Sequence, residues 1–169
     1  MKIWINADDF GLTKTCTDAI FECFERKLIT TTTMVANGDC FSYALEKIKG
    51  TPFVNKIGLH INLTEGKPLT DGIRKNRKFC DDGGAFIGFP NRYSKLTKSD
   101  KKDVYDEIEA QFNKLIQAGI NINHVDSHHH VHNSFRILPI ILDVMKKKNV
   151  NGLRMARNVG KLNLLKRAY

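Results

Sequence analysis

Apolar positions along the chain follow two periods in turn. Residues 13–27 place Ala19, Ile20, Cys23 and Phe24 at spacings near 3.6, which predicts a helix. Residues 2–6 before it predict a buried strand that ends in polar residues, with Asp8-Asp9-Phe10-Gly11 as a loop. The β-branched run at 30–35 predicts a second strand. Asn37-Gly38-Asp39 then predicts a turn, with Asp39 capping a helix to about Lys49. Gly50-Thr51-Pro52 breaks the chain before a third strand at 56–63, where Leu59, Ile61 and Leu63 fall on one face and His60 and Asn62 on the other. Residues 65–96 have no period and are rich in Gly, Pro, Lys and Asp; so long an excursion in a compact fold points to function. Ser99-Asp100 leads into a helix over 101–118 with a stripe of Val104, Ile108, Phe112 and Leu115, ended by Gly119. A fourth strand is predicted at 122–127, a helix at 134–148 and a fifth strand at 152–155; the basic tail from Arg157 takes no assignment.

Strand and helix alternate throughout, which argues for an α/β fold of parallel strands with helical crossovers, either a barrel or an open sheet. The length of 169 residues suits one domain, and 41% hydrophobic with 27% charged residues suits a globular one. No apolar run reaches the roughly 18 residues of a membrane span, and the N-terminus turns polar too soon for a signal peptide, so the expected setting is the cytoplasm, away from membranes. The four cysteines form no CxxC pair and are expected to be reduced. The net charge of +9 lies in scattered clusters such as Arg74, Lys75, Arg77 and Lys78, without interleaved aromatic residues, so nucleic acid is not the expected partner.

Candidate chemistry falls at the C-terminal ends of three predicted strands, the edge on which parallel α/β folds build active sites. Asp8 and Asp9 are adjacent carboxylates that repel unless a cation joins them; the alternative is a turn in which Asp9 caps the next segment. His60 is either a ligand or a satisfied structural histidine. Five of the six histidines crowd into His124-Val125-Asp126-Ser127-His128-His129-His130-Val131-His132, which points to a metal. His128 fits both a strand face with His124 and Asp126 and a helical i, i+4 pair with His132, so it is the first choice as ligand. Together the clusters suggest Asp9, His60 and His128 on one metal, leaving positions open for water and substrate, with Asp8 as general base. Asp126, His130, His132 and Arg154 are candidates for orienting ligands or touching substrate. Two imidazoles favour zinc or another transition metal.

The motifs Asn6-Ala7-Asp8-Asp9-Phe10-Gly11, Gly58-Leu59-His60 with Leu63-Thr64 and Gly66-Lys67-Pro68-Leu69, and His124 to His132 occur in an order and spacing that resemble the YdjC-like carbohydrate deacetylases, including the chitooligosaccharide deacetylases. The resemblance implies a distorted (β/α) barrel and a divalent metal, usually magnesium, at the residues matching Asp9, His60 and His128, with Asp8 as base. It also implies removal of acetyl groups from N-acetylated sugars such as small chitin-type oligosaccharides. Family members are longer and carry a later histidine in a His-Pro context as the acid. This chain has no histidine after His132, so its acid is to be found among His129, His130, His132 or a partner. The expectation is therefore one deacetylase-like domain over 1–169 that lacks the family's C-terminal part, with an incomplete barrel and self-association to cover its open edges. Competing readings are a non-catalytic metal- or sugar-binding domain, a metal-dependent phosphoesterase and a basic nucleic-acid binder.

Overall fold

In the computed structural model, residues 3–88 and 95–154 are described. Their centre is a parallel sheet of β1 (Asn6–Phe10), β2 (Thr31–Met34), β3 (Ile57–Ile61) and β4 (Val125–Ser127), in the spatial order β1-β2-β3-β4. Beyond β4, Leu153 makes a single parallel bridge to Val125 in place of the fifth strand that the sequence pattern predicts. Spatial order follows chain order, so every right-handed crossover steps the same way and the helices gather on one face. That is the winding of a barrel wall, not of a doubly wound sheet, whose order reverses. The described residues form an open four-stranded parallel sheet with this winding, and no barrel is closed among them.

The crossovers are α1 (Lys14–Glu25), α2 (Phe41–Ile48) and α4 (Lys98–Gln117), the last preceded by a short helix, α3 (Asp71–Lys75), and α5 (Leu138–Lys147) follows β4. Leu59, Ile61 and Leu63 are fully buried and share a core with Val104, Ile108, Phe112 and Leu115, so the alternation in β3 and the stripe on α4 meet as their periods require. Each such side chain contributes on the order of 1.5–3 kcal/mol by leaving water. At Gly58 an added Cβ would lie 2.5 Å from the His124 carbonyl oxygen, so only glycine lets β3 and β4 approach this closely.

Several boundaries differ from expectation. β1 begins at Asn6, and Asp8 and Asp9 belong to it instead of following it. Its pairing is set by β2, which opens at Thr31 opposite Asn6, and the apolar Ile3, Trp4 and Ile5 lie exposed ahead of it. α2 has Cys40, not Asp39, at its cap, without a side-chain bond. α4 starts three residues early because Thr97 and Asp100 form a reciprocal capping box. The long excursion contains α3 and a Cys80–Phe86 bridge. The last residue of the expected fifth strand and the basic tail lie outside the described residues. Among the described residues, no helix is long and apolar enough to cross a membrane.

Candidate functional site

The face of the sheet away from the helices is polar. Asn6 and Asp8 alternate onto it from β1, and Asn6 donates to Asp8 Oδ1 at 2.9 Å and to Thr33 Oγ1 at 3.2 Å. In a regular strand Asp9 would then face the helices. Instead the register slips between Ala7 and Phe10, where β1 carries one more residue than β2, and Asp9 adopts a left-handed backbone with φ 72°. Aspartate tolerates this region better than most residues, at a cost of roughly 1–2 kcal/mol. The bulge turns two consecutive carboxylates toward one site while Phe10 still reaches the core.

His60 on β3 and Asp126 on β4 are register partners on this face. His60 Nδ1 lies 2.5 Å from Asp126 Oδ1 and 3.1 Å from Thr33 Oγ1, and its Nε2 lies 3.0 Å from Asp9 Oδ1. His128 comes to the same oxygen from the end of β4, with Nδ1 at 2.7 Å from Asp9 Oδ1 and Nε2 at 2.9 Å from Glu65 Oε2. Each imidazole thus points one nitrogen at Asp9 and the other at a second carboxylate.

Electrostatics follow from this crowding. Burial pushes the Asp9 carboxyl up, but the bond from His128 and the closeness of the His60 ring outweigh it and hold the group well below the usual carboxylate range. Burial pushes His60 down, yet Asp126 and Asp9 prevail and raise it to about 9; His128 is raised against burial by Asp9 and Glu65. These carboxylates favour positive charge between them, whether protons or a metal ion. The residues fit a metal: Asp9, His60 and His128 each offer a ligand atom within 4.8 Å of the others. His60 Nε2 is buried and, despite its closeness to Asp9, has no aligned hydrogen-bond partner, as a nitrogen reserved for a cation would be. Glu65, His128 and His129 form a second such group sharing His128.

Asp8 is gripped by Arg154, whose Nη1 lies 2.7 Å from both carboxylate oxygens and 2.9 Å from Asp126 Oδ2. The structure therefore joins Asp8, Asp9, His60, His128, Asp126 and Arg154 in one cluster. It sets two other candidates apart. After His128 the chain reverses through His129 and His130, both left-handed with φ 50° and 54°, so the turn His128–Asn133 does not bring His128 and His132 together as an i, i+4 helical pair. His130 is exposed. His132 turns back to Ser127 Oγ at 2.5 Å, and burial lowers it to about 4. His129 packs on His128 with ring centroids 4.1 Å apart and reaches Thr64. Sequence reasoning missed Glu65, Thr33 and Asn6; the one available signal for Glu65 was its place at the mouth of the long excursion.

The YdjC-like protein family model matches residues 2–168. The chain belongs to the YdjC-like family. It is 33% identical over 150 residues to a carbohydrate deacetylase of Oceanobacillus iheyensis, covering 89% of this chain and 63% of that protein. It is 36% identical over 148 residues to carbohydrate deacetylase 1 of Listeria innocua, covering 87% and 56%. A crystal structure from Enterococcus faecalis V583, provisionally described as a cellobiose-phosphate cleavage protein, superposes with a TM-score of 0.78 at 29% identity, over 96% of this chain and 62% of that one. The chain thus spans about three fifths of the length of these members of the family.

Proposed function

We propose that this chain carries the metal-binding site of a carbohydrate deacetylase, with a divalent cation held by Asp9, His60 and His128. The observation that carries the reading is the convergence of those three side chains beside a separate, fixed carboxylate, Asp8. When bound, the cation polarises an amide oxygen and makes its water a stronger acid. Asp8, held beside these three side chains and not one of them, would serve as the general base that accepts a proton from the attacking water. Arg154 and Asn6 hold the Asp8 carboxylate in place, and Asp126 fixes His60 through Nδ1 so that Nε2 faces the ligand position. The substrate of this reading is an N-acetylated sugar, with small chitin-type oligosaccharides first in line, and the products are acetate and the free amine. The names of the relatives support the class of reaction. Magnesium is the metal that the family resemblance implies, whereas two imidazoles favour a transition metal such as zinc. Of the histidines considered for the acid, His129 is the one packed against the ligand set, and we assign it that role. A cytoplasmic setting belongs to the same reading and rests on four unpaired thiols.

A second reading, a metal- or sugar-binding domain without turnover, draws on the chain's span of about three fifths of its relatives. The deciding experiment measures acetate release from diacetylchitobiose by the metal-stripped protein, before and after metal is restored, beside His128→Ala. Release that needs metal and is lost in the variant supports the deacetylase. Metal binding without release supports the second reading.

A further inference from the structure

The two histidines of the site are oriented by different means. His60 sits within the sheet and is held by its register partner Asp126. His128 lies beyond the end of β4, just ahead of a left-handed reversal and past the last register pair with β3, so among the described residues its ring is hydrogen-bonded on the strand side to Asp9 alone, through Nδ1. Its outer nitrogen, Nε2, instead meets Glu65 from the long excursion at 2.9 Å. Glu65 has a half-exposed side chain but a closely held backbone. Asn62 Oδ1 accepts from Glu65 N at 3.1 Å, and Asn62 Nδ2 donates to Glu65 O at 2.8 Å and to Asn37 Oδ1 at 3.1 Å. Asn37 Nδ2 also reaches Glu65 O and, at 3.1 Å, Lys67 O. Gln111, fully buried on α4, holds Asn62 through both its backbone N–H and its carbonyl. Glu107, also fully buried, clamps Leu69 and Thr70. A chain of buried polar groups running from α4 thus sets where one glutamate stands.

We infer that Glu65 is the positioning residue of His128: it accepts the Nε2 proton and so commits His128 to bind the metal through Nδ1, while His60 binds through Nε2. The inference rests on the metal reading proposed above. Orienting carboxylates of this kind raise the basicity of a ligand imidazole and fix its tautomer, and their loss typically lowers metal affinity about 10–100-fold. Glutamine at this position still offers an oxygen to the Nε2 proton, whereas alanine does not.

The test uses Zn2+ as the probe and needs no turnover. Calorimetric titration of the full chain, Glu65→Gln and Glu65→Ala is paired with long-range proton–nitrogen NMR of histidine-labelled protein. The expected result is zinc on Nδ1 of His128 and on Nε2 of His60, affinity about 10–100-fold weaker in Glu65→Ala, and most of it restored in Glu65→Gln. Melting temperatures should stay within a few degrees, since the truncated side chain is half exposed. Unchanged affinity in Glu65→Ala, or zinc on Nε2 of His128, overturns the inference and leaves the metal site intact. A second zinc per chain that is lost in Glu65→Ala also overturns it, because Glu65 and His129 would then be ligands. If the unaltered chain binds no zinc and no magnesium, the metal reading falls and this inference with it.

Discussion

Replacing Glu107 by glutamine removes one charge and almost no volume, yet it should destabilise the protein substantially. Oε1 accepts from Leu69 N at 3.0 Å and Gln111 Nε2 at 2.9 Å, and Oε2 accepts from Thr70 N at 2.8 Å and Thr70 Oγ1 at 2.9 Å. All four partners are donors as placed. Glutamine has one oxygen and one amide nitrogen, so either orientation sets an N–H2 against two of them. The Thr70 hydroxyl can turn and accept, and Gln111 can adjust its amide, but the Leu69 and Thr70 backbone N–H groups cannot change. At least one half-buried backbone N–H loses its partner and the remaining bonds lose their charge. At about 1–3 kcal/mol for an unsatisfied buried group, and less for the weakened bonds, the expected loss is roughly 2–4 kcal/mol. For a chain of this size that corresponds to a melting temperature lower by about 4–16 °C. Urea unfolding at neutral pH, read by circular dichroism, should show a lower midpoint at unchanged slope. A loss below about 0.5 kcal/mol would refute the claim that this carboxylate organises the loop, since that is the size of an ordinary surface change.

Gly58→Ala should cost about 1–3 kcal/mol by overpacking, because its Cβ would meet the His124 carbonyl and ring at 2.5–2.7 Å; an unchanged thermal melt would contradict that strand spacing. For Asp100, burial raises the carboxyl but bonds from Asn76, Lys78 and Thr97 hold it well below the ordinary range. Its folded-state pKa is depressed, so its contribution is fully present above the unfolded value near about 4 and fades as pH falls through the folded one. Asp100→Ala should therefore lose about 1–2 kcal/mol at pH 7 by removing half of a capping box, and the gap to the parent should shrink in melts below about pH 4. A gap that widens on acidification would reverse the assignment. We also predict self-association, motivated by consecutive exposed Ile3, Trp4 and Ile5; light scattering should give more than the 19.2 kDa of one chain, and a monomer at micromolar concentration would end that proposal.

Periodicity made much of the fold legible. Leu59, Ile61 and Leu63 against His60 announced a strand with one apolar and one chemical face, and the α4 stripe announced what covers it. The grouping of Asp9, His60 and His128 could be anticipated because all three lie in, or just beyond, the C-terminal halves of strands, which a parallel sheet gathers at one edge. What escaped was set by dihedrals and by long-range contact. No pattern in Ala7-Asp8-Asp9-Phe10 signals a bulge, since the extra residue exists only relative to β2. Nothing in three successive histidines marks two left-handed residues, so helical spacing puts His132 beside His128, whereas the folded chain bonds it to Ser127. Glu65 lies in a segment without period, and its backbone is held by Asn62, three residues before it, and by Asn37, which reaches it from a distant part of the chain.

The single surplus residue in β1 has a wider consequence. A strand of regular pleat can present one acidic group at a given height on one face, enough for a ligand or for a base. One residue more than the partner strand, with the two ends still anchored by pairing at Ala7 and Phe10, supplies the second group within the strand itself. On the function proposed for this site, a wall that only holds a cation and one that also carries a base would stand one insertion apart in genetic distance, and deletion of one residue between Ala7 and Phe10 would retrace that step.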